Sequence, residues 1–137
     1  MIYKEEHRDL FSVNLKEWIP VHCISMDCKM GAGIAVPMKK KFSLGRLESR
    51  VLYFPCCVFH NGVYNLVTKS RYFHKPSYGT LKSALIEMKS HIIKSEVKKI
   101  VMPKIGSGLD KLSWPKVKEI IQDLFEDIDI EILVCIQ

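Results

Sequence analysis

Val21-His22-Cys23-Ile24-Ser25, followed by Met26-Asp27-Cys28-Lys29-Met30 and then Gly31-Ala32-Gly33-Ile34, is the stretch on which the fold turns. The run Val21–Ile24 reads as a short strand, a polar segment ends it, and the glycines open a helix whose first turn tolerates Pro37. A strand passing through a Gly-bearing loop into a helix is the opening unit of an α/β sheet. The rest of the chain continues that pattern. Cys56–Phe59 and Val63–Thr68 flank His60-Asn61-Gly62, and Asn-Gly is the favoured pair for a type I′ hairpin turn. Leu81, Ala84, Leu85, Met88 and Ile92 recur at helical spacing, with Thr80 as the expected N-cap. Val117, Ile120, Ile121, Leu124, Phe125 and Ile128 make a second stripe, with Pro115 near its start. Between them Lys99-Ile100-Val101-Met102 reads as a buried strand stopped by Pro103. Ile130 to Ile136 is a near-continuous apolar strand of the kind covered on both faces. The predicted order is strand, helix, hairpin, helix, strand, helix, strand: a mixed sheet between helical layers. No repeat or linker interrupts it, so residues 1–137 are expected to form one domain.

Composition narrows the function classes. The chain has 137 residues, 47% hydrophobic and 26% charged, enough to bury a core without staples and too apolar for wholesale disorder. No apolar run approaches the roughly 20 residues of a membrane-spanning helix. Met1-Ile2-Tyr3-Lys4-Glu5-Glu6-His7 carries acids where a secretory signal carries an apolar stretch. An intracellular protein is expected, cytoplasmic or, in a eukaryote, also nuclear. The net charge is +6, which favours anionic partners such as nucleotides, phosphates or nucleic acid. Its only dense run, Lys39-Lys40-Lys41, reads equally well as a solvated helix face. The five cysteines include the adjacent Cys56-Cys57, an odd set that argues against a disulfide framework. His22, Cys23 and Cys28 make a single cluster where structural zinc needs two, so buried thiols are expected and no metal or cofactor.

Two Gly-bearing loops lie just past predicted strand ends, where ligand loops belong in such a sheet. One is Met30-Gly31-Ala32-Gly33-Ile34; the other is Ile105-Gly106-Ser107-Gly108-Leu109-Asp110. Glycine lets successive N–H groups converge on phosphate oxygens, and a helix N-terminus adds the favourable end of its dipole. Neither loop has the third glycine of a dinucleotide fingerprint, and no GxxxxGK[ST] stretch is present. A pair of backbone clamps for a diphosphate remains. Asp9, Ser25, Lys69 and Asp110 stand near strand ends or loop ends. Each alone reads as an exposed turn residue. Together, a lysine and an aspartate beside a diphosphate clamp suit a nucleophile and an acid/base.

These residues resemble a known family. The block His22-Cys23-Ile24-Ser25-x-Asp27-Cys28-x-Met30-Gly31-Ala32-Gly33-Ile34-Ala35-Val36, with Lys39-Lys40-Lys41-Phe42, is similar to the first ligand loop of a macrodomain. The branch it resembles is the terminal ADP-ribose protein glycohydrolase. Asp9-Leu10-Phe11, Leu66-Val67-Thr68-Lys69, His74-Lys75-Pro76-x-Tyr78 and Met102-Pro103-Lys104-Ile105-Gly106-x-Gly108-Leu109-Asp110 match in the family's order.

The resemblance implies a three-layer α/β/α fold around a mixed central sheet, with ADP-ribose in a crest cleft. Asp9 would accept from the adenine amino group, with Leu10 beside it. Gly31, Ala32, Gly33 and Ile34 would clamp the diphosphate and distal ribose together with Ile105, Gly106, Ser107, Gly108 and Leu109. Ser25, Thr68 and Lys104 would line the pocket. Lys69 matches the family's nucleophile and Asp110 its acid/base. The implied activity is removal of mono-ADP-ribose from glutamyl and aspartyl esters, with deacetylation of acetylated ADP-ribose beside it, by a monomer and without a cofactor. The alternative is a reader module that binds ADP-ribose without turnover; a basic nucleic-acid binder is the third reading. The chain departs from the family at Arg8, where a glycine is usual, and at Cys135, where the last strand can carry an aromatic near adenine. The segment 43–57 is shorter than usual.

Overall fold

The computed structural model describes all 137 residues. Six strands form one sheet in the order β1-β6-β5-β2-β4-β3. They are β1 (Ile2–His7), β2 (Ile19–Ser25), β3 (Cys56–His60), β4 (Val63–Lys69), β5 (Lys99–Met102) and β6 (Glu131–Ile136). Only β3 runs antiparallel, against β4; the other four pairings are parallel. The mixed sheet follows from one tight connection: Asn61 and Gly62 both take positive φ, +49° and +78°, as a type I′ turn requires. Every other connection crosses a face of the sheet.

Alternation along the strands builds two cores. In β4, Val63 and Val67 face one side while Tyr64 and Leu66 face the other; in β6, Leu133 and Cys135 oppose Ile132 and Val134. The first side is covered by α1 (Ala35–Phe42) through Met38, and by Leu44, Leu47 and Val51 of the following segment. The second is covered by α2 (Tyr78–Ser95) and α3 (Trp114–Phe125). The stripe residues Leu81, Ala84, Leu85, Met88 and Ile92 are all buried. This is the expected α/β/α arrangement. No helix is long and apolar enough to cross a membrane.

Two local expectations are corrected. The N-cap of α2 is Ser77, not Thr80; Thr80 sits at the third helical position and returns the bond, its Oγ1 accepting from the Ser77 N–H at 3.0 Å. The reciprocal pair is a capping box, so either residue alone looks like the cap. The sheet also begins earlier than the predicted order, with β1 at the edge beside β6. Its residues Lys4, Glu5, Glu6 and His7 lack the apolar alternation of a half-buried strand. The run Lys39-Lys40-Lys41 lies on a solvated helix face, as one of its two readings had it: it occupies the last turn of α1, where cations complement the negative end of the helix dipole.

The buried polar pair in β2 and β4 has a structural account. His22 Nε2 and Asn65 Oδ1 lie 2.6 Å apart, and Asn65 Nδ2 donates to the Val58 and Val63 carbonyls. Burial pushes His22 down to about 4. Cys23, one residue on, packs on the opposite face with α2 and α3, while Cys28 packs on the α1 face. Strand alternation therefore turns Cys23 away from His22 and from the face where Cys28 packs.

Candidate active site

A cleft of about 1380 Å³ runs across the carboxyl ends of the central strands. That exceeds the roughly 300–1,000 Å³ of an ordinary ligand pocket, as an extended ligand demands. Asp9, Leu10, Ser25, Gly31, Ala32, Gly33 and Ile34 line it, together with Lys69, Lys104, Ile105, Gly106, Ser107, Gly108, Leu109 and Asp110. One expected lining residue does not. Thr68 is only 1% exposed and lies outside the cleft wall. The cause is a register shift: Ile24 pairs with Val67 but Ser25 pairs with Lys69. The extra residue, Thr68, bulges out of the pairing, and the bulge re-aims the side chain after it, as bulges beside active sites do.

The two glycine loops touch. Gly33 has φ +62°, and a Cβ there would meet Leu109 Cδ1 at 3.3 Å. Gly106 has φ +72°, and a Cβ would meet Leu112 Cδ1 at 3.1 Å and Leu81 Cδ2 at 3.3 Å. At these two positions the left-handed backbone strains any side chain, and the facing leucines would have to give by a few tenths of an ångström. The first loop hands on to α1, whose N-cap, Ile34, makes no side-chain cap bond. Val36 N–H is taken by the Gly33 carbonyl, Met38 N–H by the Ile34 carbonyl, and Pro37 has none, so the first turn of α1 offers the Ala35 N–H to an anion in the cleft.

Lys69 and Asp110 are 41 positions apart in the chain, and the fold brings Lys69 Nζ to 2.7 Å from Asp110 Oδ1. Each side chain is 14% exposed. An ammonium and a carboxylate so placed form a desolvated, charge-assisted pair where the two loops meet. Cys23 lies in the cleft wall beside them. Burial first, then the Asp110 charge, pushes its thiol up to about 12 against the opposing Gly106 N–H and Lys69. It therefore stays a thiol and offers no competing nucleophile.

At the far end, Asp9 caps a 3-10 turn, its Oδ1 accepting from the Phe11 N–H at 3.0 Å. The other carboxylate oxygen faces no protein donor, so it is free to accept from a ligand amine. Arg8 folds back, Nε donating to Ser12 Oγ at 2.9 Å and Nη2 to the Ser12 carbonyl at 3.1 Å. That holds the turn without the glycine usual there. Cys135 lines this end and is buried.

Two contributors escaped the sequence reading. Asp27 accepts from Ser25 Oγ, from the Tyr72 N–H at 3.0 Å and from the Lys29 N–H at 3.4 Å. Burial raises its carboxyl, but those donors outweigh it and hold the group below the usual carboxylate range. Lys75 Nζ donates to the Leu109 carbonyl at 2.6 Å, tying the segment after Lys69 to the second glycine loop. Ser25-x-Asp27 at a strand end is a local hydrogen-bonding signal; nothing local announces the Tyr72 and Leu109 contacts.

A sheet with this order, carrying a long cleft walled by two glycine loops, has the macrodomain fold. The macrodomain of Mycobacterium tuberculosis DarG superposes with a TM-score of 0.86 at 17% identity, covering 98% of this chain and 97% of that one. Thermosipho africanus DarTG, solved in complex with ADP-ribose, gives 0.79 at 16% identity over 99% of this chain and 42% of its own. No protein-family model matches the chain. By sequence the chain is 46% identical over 119 residues to the ADP-ribose glycohydrolase OARD1 of Bos taurus, spanning 83% of this chain and 78% of that protein, and it belongs to that family.

Proposed function

We propose that this chain hydrolyses the ester between ADP-ribose and a glutamate or aspartate side chain, with Lys69 as nucleophile and Asp110 as acid/base. The observation that carries the reading is the Lys69–Asp110 pair, 2.7 Å apart at the junction of two glycine loops. Kinship with an ADP-ribose glycohydrolase at 46% identity supports the substrate. In the cleft, the loop N–H groups and the start of α1 hold the diphosphate, Asp9 accepts from the adenine amine, and the distal ribose reaches Lys69. All of these groups come from one chain, which suits a monomer.

The steps balance. Lys69 passes a proton to Asp110, and its lone pair bonds to the anomeric carbon as the bond to the ester oxygen breaks. The acceptor leaves as a carboxylate. Asp110 then gives its proton to solvent, the one proton that ester hydrolysis releases at neutral pH. It next takes a proton from water, whose oxygen attacks the same carbon as the bond to Nζ breaks. Return of that proton to the amine restores the ion pair. Fixing the diphosphate holds the ribose in line, which supplies several kcal/mol through orientation. Acetylated ADP-ribose presents an acyl ester to the same pair and is the expected second substrate.

The test is release of ADP-ribose from a glutamate-modified protein, with calorimetry on ADP-ribose alongside. Release by the native chain, lost in Lys69→Ala with binding retained, is the expected result. Tight binding without release would make the chain a reader of ADP-ribose instead.

A further inference from the structure

Beyond the pair itself, we infer that Asp27 is a positioning residue that fixes where Lys69 leaves the sheet; the inference rests on the activity proposed above. The regular pairing of β4 is already broken by the bulge at Thr68. Past it, Lys69 pairs with Ser25, and its carbonyl accepts from the Met26 N–H at 2.8 Å. Three residues on, the Tyr72 N–H reaches Asp27 Oδ2 at 3.0 Å, while Oδ1 takes Ser25 Oγ and the Lys29 N–H. One carboxylate therefore fastens the segment after Lys69 to the end of β2 and to the first glycine loop. Its neighbours Tyr72 and Phe73 are 61% and 65% exposed, so packing contributes little to holding that segment.

Asp27 does not line the cleft; it acts through Lys69 and Ser25. Its donors are a hydroxyl and two backbone N–H groups, so an anion satisfies all of them. Because Ser25 Oγ donates to Asp27, it turns lone pairs rather than its proton toward the cleft. Asparagine can keep Tyr72 on its carbonyl oxygen and donate its amide to Ser25, provided the hydroxyl reverses. Alanine keeps nothing.

The test compares Asp27→Ala and Asp27→Asn with the native chain in three readouts. These are kcat and KM on a glutamate-modified protein, calorimetric affinity for ADP-ribose, and amide hydrogen exchange of residues 70–75. A misplacement of the nucleophile lowers kcat roughly 10- to 100-fold in Asp27→Ala. ADP-ribose affinity, set by the loops and Asp9, stays within about threefold. Exchange at Tyr72 rises about tenfold or more as its acceptor is lost. Asp27→Asn recovers a large part of kcat and of the protection. An unchanged kcat in Asp27→Ala, or parallel losses of kcat and affinity in both variants, overturns the inference. If Asp27→Ala does not fold, Asp27→Asn decides: native kcat and Tyr72 protection support positioning, while native protection with kcat down about tenfold or more contradicts it. A native chain that releases no ADP-ribose refutes the proposed activity, not the tether, which the exchange and affinity readouts still test.

Discussion

The two ends of the cleft are built differently. At the Lys69 end, three polar contacts cross between segments distant in sequence: Lys69 to Asp110, Tyr72 to Asp27, and Lys75 to Leu109. At the Asp9 end, the side-chain contacts are local, Asp9 to Phe11 and Arg8 to Ser12; one backbone bond, from the Arg8 N–H to the Ile136 carbonyl at 3.1 Å, ties the turn to β6, and Asp9 remains exposed. The Lys69 end is braced by side chains reaching across the fold, whereas at the Asp9 end the side chains bond within one short turn. Preorganisation serves a transition state, where small displacements are costly; a ground-state hydrogen bond to a base tolerates more play.

Changes at the two ends should therefore separate rate from affinity. The largest effect is expected from Lys69→Ala, with kcat down at least about 10³-fold while ADP-ribose still binds; single-turnover kinetics beside calorimetry reads both. Next is a change that touches both ends alike through the sheet. His22, with a value near 4 in the folded chain against 6.5 unfolded, is neutral when buried, and the unfolded chain protonates first. Its contribution is present in full above pH 6.5 and is lost as pH falls toward 4, by up to ~3 kcal/mol. Denaturant titrations across that window should show the slope, and His22→Leu should flatten it. Gly106→Ala forces a side chain into positive φ against Leu112 and Leu81; a loss of about 2 kcal/mol in stability, with weaker ADP-ribose binding, is expected. Asp9→Ala is the mildest, costing about 1 kcal/mol of affinity with kcat unchanged. Equal loss of kcat and affinity at both ends would erase the distinction.

What the sequence announces follows the same division. The hairpin was legible because Asn61-Gly62 is a local signal, and α2 and α3 because their stripes are periodic. The glycine loops were legible as loops past strand ends, and the resemblance assigned Lys69 and Asp110 their roles. Their meeting was not legible, since it depends on how β4 and the loop after β5 end beside each other. Thr68 was misplaced for a related reason: a single bulge reverses which of two neighbours faces the cleft, and no composition marks it. The edge strand β1 was underweighted because its exposed, charged residues carry no period-2 pattern. Asp27 was visible as a residue but not as a tether, because its partner Tyr72 is 45 positions away.

The central claim is a covalent link between the anomeric carbon and Lys69. Once the amine has bonded to that carbon, the glycosylamine can open to an imine, which borohydride reduces to a stable secondary amine. Treating the native chain with a glutamyl-ADP-ribosylated protein and borohydride, then mapping the modified peptide by mass spectrometry, reads the link directly. A reduced ADP-ribosyl mass on the peptide carrying Lys69, absent from Lys69→Ala, is the expected result. Steady turnover with no label at Lys69 would contradict it and would mean that water attacks the ester without a lysine adduct.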